Sequence, residues 1–299
     1  DESIEDYDKD LESILDEAKA SGLPTLQLNW HYRSRHESLI AFSNWNYYDN
    51  KLVTFPAAES VDRGVSFRLI PDAVYDRGKS RTNRAEAEAI VRDAVERMKR
   101  ELELPEEERR TFGVITFNSQ QQSLIQDLLD QAQRDEPELD WFFSDERIEP
   151  TVVKNLENVQ GDERDVMFFS VTFGKDVSGR DIPLTFGALN RDGGERRLNV
   201  AVTRSRQELV VYSSFQANQL NAERSKARGV RDLKAFLEYA EKGPEALAAR
   251  IEGSVGELES PFEIAVAETL TDRGWQVVPQ VGVSGFRVDL GIVHPDRPG

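Results

Sequence analysis

The sequence predicts an α/β fold, a parallel sheet with helices on both faces, followed by a smaller and partial α+β segment. Three observations carry this. From about Leu23 to Ser214, short apolar runs of strand length alternate with stretches of helical periodicity, the pattern of a parallel sheet with helical crossovers. Two of the helical stretches open on capping signals. After the breaker pair Gly243-Pro244 the order changes to one helix and then two strands.

The elements follow in order. The opening DESIEDYDKDLESILDE is acidic and reads as a solvated tail or a helix without a partner, with a specific acidic docking arm as the alternative. Leu39, Ile40 and Phe42 mark a helix just after Tyr32-Arg33-Ser34. VSFRLI (Val65 to Ile70) is a short β-rich run. Asn83 and Glu86 form a capping box, and Ile90, Val91, Ala94, Val95, Met98 and Leu102 then recur at helical spacing. TFGVITF (Thr111 to Phe117) reads as a buried strand, and a second capping box, Ser119 with Gln122, opens a helix carrying Leu124, Ile125, Leu128 and Leu129 on one face. Thr151 to Val153 and DVMFFSVTF (Asp165 to Phe173) are further strands. A helix through Arg197 to Arg206 leads into the strand LVVYSS (Leu209 to Ser214), and an amphipathic helix spans Val230 to Ala240. Residues 244–256 read as a linker. ESPFEIAVAETLTDRGW reads as a helix, WQVVPQV and FRVDLGIV as strands, and HPDRPG as a turn after which a further strand is expected. In sheets of this kind ligands sit at the carboxyl ends of the strands, so chemistry is expected there.

Composition narrows the function classes. The chain has no cysteine, which excludes disulfides and thiolate metal sites, and its three histidines (His31, His36, His294) leave little for a histidine-rich one. A net charge of -17 argues against coating nucleic acid by bulk electrostatics, so any such contact is local and built from a few placed groups. No apolar run approaches the roughly 20 residues of a membrane span, and the acidic start has no apolar signal region; a cytoplasmic location is expected.

Three segments carry chemistry. LNWHYRSRHESLIAFSN (Leu28 to Asn44) places Arg33 at a loop-to-helix junction, where it can point out of the domain or pair with an acidic neighbour on the surface. LENVQGDERDVMFFSVTFG (Leu156 to Gly174) has the turn Gln160-Gly161 and the charges Glu163, Arg164 and Asp165 ahead of a very apolar run; a plain polar turn before a core strand is the alternative. GGERRLNVAVTRSRQELVVYSS (Gly193 to Ser214) places Arg197, Arg204 and Arg206 on a short helix beside a core strand, a costly arrangement unless they face a ligand or paired acids.

In this order and at these separations the three segments resemble motifs IV, V and VI of superfamily 1 helicases, in particular the Upf-one-like branch. LNVAVTRSR departs by one small residue from that family's LNVAxTRAR, and GVITFNSQQQSL (Gly113 to Leu124) resembles the intervening motif. The resemblance covers about residues 23–243 and implies the second RecA-like domain of such an enzyme, closing over ATP held by a first domain. By resemblance Arg33 and Arg204 are catalytic arginines at the γ-phosphate, and Gln160, Gly161 and Glu163 couple nucleotide to nucleic acid, with Glu163 near the ribose. Thr116 and Gln121 match positions near the phosphates of the bound strand. A phosphate loop is not found: Gly78-Lys79-Ser80 supplies its end, but Ala73 stands where its first glycine belongs, and no strand ends in the Asp-Glu of a Mg2+ site. The main ATP and Mg2+ ligands are therefore expected on a preceding RecA-like domain in cis, and this chain alone is expected not to turn over ATP.

SPFEIAVAETLTDRGWQVVPQVGVSGFRVDLGIVHPDRPG resembles the start of a Vsr-like endonuclease domain of the PD-(D/E)xK type. That resemblance makes Glu263 and Asp289 catalytic carboxylates and Asp289 the first ligand of a divalent metal, in a domain too incomplete to cleave. The expected organisation is an acidic segment 1–22, the RecA-like domain 23–243, a linker 244–256 and the incomplete nuclease 257–299. The expected function is the motor half of an ATP-dependent DNA helicase fused to a nuclease, DNA being favoured over RNA only by the nuclease piece. An RNA helicase domain, a non-catalytic partner-binding module and a single-strand binder stacking bases on Trp45, Tyr47 and Tyr48 are the alternatives.

Overall fold

The computed structural model describes residues 14–54, 64–179, 181–243, 245–248, 261–281 and 288–294. Five parallel strands form the main sheet: β1 (Val65–Leu69), β2 (Phe112–Thr116), β3 (Val152–Asn155), β4 (Arg164–Ser170) and β5 (Ser205–Ser213), in the order β1-β5-β4-β2-β3. Alternation along the central strands sorts side chains into two layers. Val166 and Phe168 of β4 join Phe112, Val114 and Val210 in one apolar cluster, while Met167 and Phe169 join Ile115, Leu209 and Val211 in the other. Burial on both faces is why these strands read as unbroken apolar runs.

Helices supply the outer layers. By itself, α1 (Ile14–Ala20) has no buried residue, and Ile14 and Leu15 are exposed; the acidic run before it lies outside the described residues. Leu39 and Phe42 of α2 (Ser38–Tyr47) pack on the face that carries Met167. The opposite face is covered by α3 (Arg84–Leu102) through Ile90, Ala94 and Met98, by α4 (Ser119–Asp135) through Ile125 and Leu129, and by Phe142 of the short α5 (Asp140–Phe143). Returning to the first face, α6 (Gly194–Val202) buries Leu198 and Ala201, and α7 (Arg228–Lys242) buries Val230, Leu233 and Phe236. Phe236 meets Phe42 edge-on at 5.2 Å, and the buried Tyr239 hydroxyl donates to the Ser38 carbonyl at 2.6 Å, so α7 holds the start of α2.

Beyond Gly243, residues 245–248 form a helical turn, α8 (Glu245–Ala248), whose Leu247 joins the larger core; the rest of 244–256 lies outside the described residues. The C-terminal helix α9 (Pro261–Asp272) and the antiparallel pair β6 (Val277–Val281) and β7 (Val288–Ile292) follow the expected order. Among the described residues no helix is long and apolar enough to cross a membrane.

The two capping boxes differ from expectation. Asn83 does cap α3, its Oδ1 accepting from the Glu86 N–H at 3.2 Å, but the Asn83 N–H donates to Gln121 Oε1 at 2.8 Å and not to Glu86. The Glu86 carboxylate points into the protein instead, where it accepts from Ser170 Oγ at 2.6 Å and from the Thr172 N–H at 2.7 Å. Thr172 has φ +66°, a costly conformation for a β-branched residue, and this hydrogen bond helps hold it. In α4 the cap lies one residue earlier than expected: Asn118 accepts from the Gln121 N–H at 2.7 Å, and Gln122 reaches the Val153 carbonyl and Asn155.

Burial pushes the Glu86 carboxyl from its ordinary 4.5 up to about 8, against the hydrogen bonds from Ser170 and Thr172 that favour the charged form. Between those two values the folded protein keeps a proton that the unfolded chain has lost, so this group's contribution to stability falls as pH rises and levels off above about 8. Glu86→Gln removes that dependence. Urea denaturation at several pH values should show the wild-type stability, relative to the variant, declining across this window; a constant difference would refute the account.

Candidate functional site

The loop before α2 is shaped by His31. Its Nε2 pairs with Ser34 Oγ at 2.8 Å and accepts from the Ser34 N–H at 3.3 Å, while the His31 N–H donates to the Val53 carbonyl at 3.0 Å. Burial first, and then the charge of Arg33, lower the His31 pKa to about 4, which keeps the imidazole neutral and able to accept. The Arg35 N–H donates to the Arg206 carbonyl at 2.8 Å, tying the loop to the start of β5.

So held, Arg33 reaches Glu163 Oε1 with an N···O distance of 2.8 Å. Arg204 approaches the same oxygen at 3.6 Å. Arg204 is fixed from behind, its Nε donating to the Val200 carbonyl at 2.9 Å. Its side chain is only 12% exposed, against 33% for Arg33 and 27% for Glu163. Burial, followed by the charge of Arg33, lowers the Arg204 pKa. One residue from each of the three chemistry-bearing segments thus meets at one point. Arg33 does pair with an acid, but with the acid that Arg204 also faces.

This point lies where β4 and β5 begin, at the amino edge of the sheet, and not at the carboxyl edge where chemistry was expected. The cause is the segment 156–163, which returns from the carboxyl end of β3 to the amino end of β4 without a helix. Gln160 and Gly161 are exposed in its turn, and Gly161 has φ +93°, a conformation that suits glycine.

The three arginines of the last segment separate. The α6 helix stops at Val202, short of the expected Arg206. Arg197 stays on the helix with Nη1 on the Asp192 carbonyl at 3.2 Å, Arg204 sits in the connection, and Arg206 already belongs to β5. Arg206 is structural: its two Nη atoms donate to Glu149 at 2.7 and 2.6 Å, its Nε to Asp165 at 3.0 Å, and Nη2 also to Thr111 Oγ1 at 3.1 Å. The Arg206 hydrogen bonds hold Glu149 below the usual carboxylate range; for Asp165, burial pushes upward, but Arg206 and the Thr111 N–H outweigh it. Sequence reasoning missed Glu149 and the His31 contact, for which no local signal exists.

Thr116 and Gln121, expected near the phosphates of the bound strand, lie at the carboxyl end of β2 and in the first turn of α4. Both are fully buried. The Thr116 hydroxyl donates to the Asn118 carbonyl at 2.9 Å. Gln121 Nε2 donates to the Asn83 carbonyl at 3.0 Å and its Oε1 accepts from the Asn83 N–H. The aromatic cluster is committed too: Trp45 and Tyr47 pack on the core, the Tyr47 hydroxyl donates to Asp232 at 3.1 Å, and Tyr48 accepts from Asn199 at 3.1 Å. Gly78-Lys79-Ser80 is a turn closed on the Asp76 carboxylate, which accepts from the Ser80 N–H at 3.1 Å and its hydroxyl at 2.8 Å. Glu263 is half-buried on α9, and Asp289 lies on β7 with its side chain outside the described residues. Among the described residues no group of three or more His, Cys, Asp or Glu could hold a metal ion.

Residues 11–216 match the model of a family described as AAA domain. The chain is also 34% identical over 218 residues to an uncharacterized ATP-dependent helicase of Mycoplasma genitalium, covering 72% of this chain and 18% of that protein. Its homolog in Mycoplasma pneumoniae is 36% identical over 218 residues, again 72% of this chain and 18% of the relative. The chain therefore spans less than a fifth of the length of either.

Arg204 and Arg206 should separate in stability. Arg206→Ala leaves two partly buried carboxylates without their main partner and should cost about 1–3 kcal/mol. Arg204→Ala leaves Glu163 paired with Arg33 and frees one backbone carbonyl, so it should cost less than Arg206→Ala. Chemical denaturation measures both, and equal losses would contradict the difference between the two arginines in the carboxylates that depend on them.

Proposed function

We propose that this chain, which belongs to the AAA domain family, supplies arginine fingers to a nucleoside triphosphate held by another domain, as the second RecA-like domain of an ATP-dependent DNA helicase. The observation that carries this reading is the convergence of Arg33 and Arg204 on one oxygen of Glu163. Their surroundings fit a polyphosphate: two guanidinium forks aimed at one point, one of them held rigidly by a backbone carbonyl. The relatives' description as ATP-dependent helicases agrees with it.

In this reading the nucleotide would bring Mg2+ as its counter-charge, and the metal's protein ligands would lie on the other domain. Phosphoryl transfer spreads negative charge over the γ-phosphate oxygens, and pre-aimed guanidiniums stabilise that charge without reorganising. Gln160 and Gly161, exposed in the turn two residues ahead of Glu163, form the route by which nucleic acid and nucleotide sense each other. Thr116 and Gln121 are placed near the phosphates of the bound strand in this reading, on the strength of the helicase resemblance alone.

The proposal extends to α9, β6 and β7 as the start of a Vsr-like nuclease, with Glu263 and Asp289 as its first carboxylates and a divalent metal as its cofactor. Support for this comes from the sequence match around QVGVSGFRVDLGIV, which also favours DNA over RNA.

The test is DNA-stimulated ATPase of the full-length protein. Arg204→Ala should keep nucleotide affinity and lose about 10³- to 10⁵-fold in turnover. A wild type without ATPase on any DNA or RNA, or a variant with normal turnover, would remove the motor assignment and bring forward the partner-binding alternative.

A further inference from the structure

Arg33 and Arg204 meet the same oxygen, Oε1 of Glu163, at 2.8 and 3.6 Å. Two guanidiniums brought this close repel each other, and Arg204, largely buried, cannot turn to water for relief. Its Nε on Val200 and its Nη2 near Thr203 Oγ1 at 3.5 Å leave Nη1 facing forward. An anion is what makes the pair tenable, and Glu163 supplies one from the adjoining strand start. The carboxylate is also placed to withdraw: it is partly exposed and follows the turn at Gly161.

We infer that Glu163 is the resident anion of the arginine site, holding Arg33 and Arg204 convergent until a phosphate displaces it. This rests on the phosphate-facing reading of the two arginines, and it gives Glu163 a positioning role distinct from the ribose contact that the helicase resemblance implies. An incoming phosphate oxygen and the Glu163 carboxylate compete for the same N–H groups. Ion pairs of this kind are strong enough that removing the competitor is measurable. Glu163→Gln keeps the shape and a hydrogen-bond acceptor but removes the charge.

The experiment is calorimetric titration of the 299-residue chain with inorganic pyrophosphate at low ionic strength. Glu163→Gln should bind about 3- to 10-fold more tightly than wild type, the size of one partly exposed ion pair. Arg33→Ala and Arg204→Ala should each weaken binding, and the gain from Glu163→Gln should vanish when combined with Arg204→Ala. Glu163→Asp, which keeps the charge, should stay near wild type and guards against a general folding effect. If the arginine variants weaken binding while Glu163→Gln leaves it unchanged or weaker, this inference fails and the arginine reading stands. Weaker adenosine binding by Glu163→Gln with unchanged pyrophosphate binding would make Glu163 a ribose ligand and overturn the inference. Pyrophosphate binding indifferent to both arginines would overturn the arginine reading itself.

Discussion

β4 is sandwiched between two apolar layers, and this burial constrains everything around it. Val166 and Phe168 feed one layer and Met167 and Phe169 the other, with β2 and β5 continuing the same alternation on either side. A strand with no solvent face has no place for a polar side chain in its middle, because each would be desolvated without a partner. Polar residues are therefore driven to the two ends. The ends are fixed relative to each other by the ladder hydrogen bonds, so groups that are remote in sequence arrive at the same edge in defined register.

The two edges use their polar groups differently. At the carboxyl edge Asn83, Glu86, Gln121 and Ser170 bond one another and are all buried. At the amino edge two sets of charges flank the starts of β4 and β5. Arg206 faces two carboxylates, Glu149 and Asp165, and is satisfied. Arg33 and Arg204 instead share Glu163. In a chain of net charge -17, that pairing of two cations with one acid is a local departure from the overall charge balance.

Much of the fold was legible because strands buried on both faces leave an apolar signature that periodicity detects. Errors fell where two readings share a local signal. Asn118 and Ser119 are both good caps, and only the chain direction into α4 selects the first. LNVAVTRSR keeps helical spacing beyond Val202, but Ser205 is already paired with Arg164 across the sheet, a long-range contact with no local trace. Glu86 satisfied a capping pattern while its carboxylate was taken by Ser170, far away in sequence. The arginine site was legible only through likeness to known motifs. Its position at the amino edge was not, because segment 156–163 crosses the sheet with no periodicity to announce it. Thr116 and Gln121 were placed by the same likeness, and the bond from Gln121 to Asn83 is a long-range contact that the motif does not announce.

The Tyr239–Ser38 hydrogen bond and the Phe42–Phe236 contact join a late helix to the root of the Arg33 loop. The family match ends at residue 216, before α7 begins. A chain trimmed to that boundary would lose the α7 contacts on α2, Phe236 against Phe42 and the Tyr239 hydroxyl on the Ser38 carbonyl. The core on this face runs past the family boundary, so any attempt to isolate, transplant or recombine the arginine-bearing module has to carry α7 and the turn at Leu247 along with it.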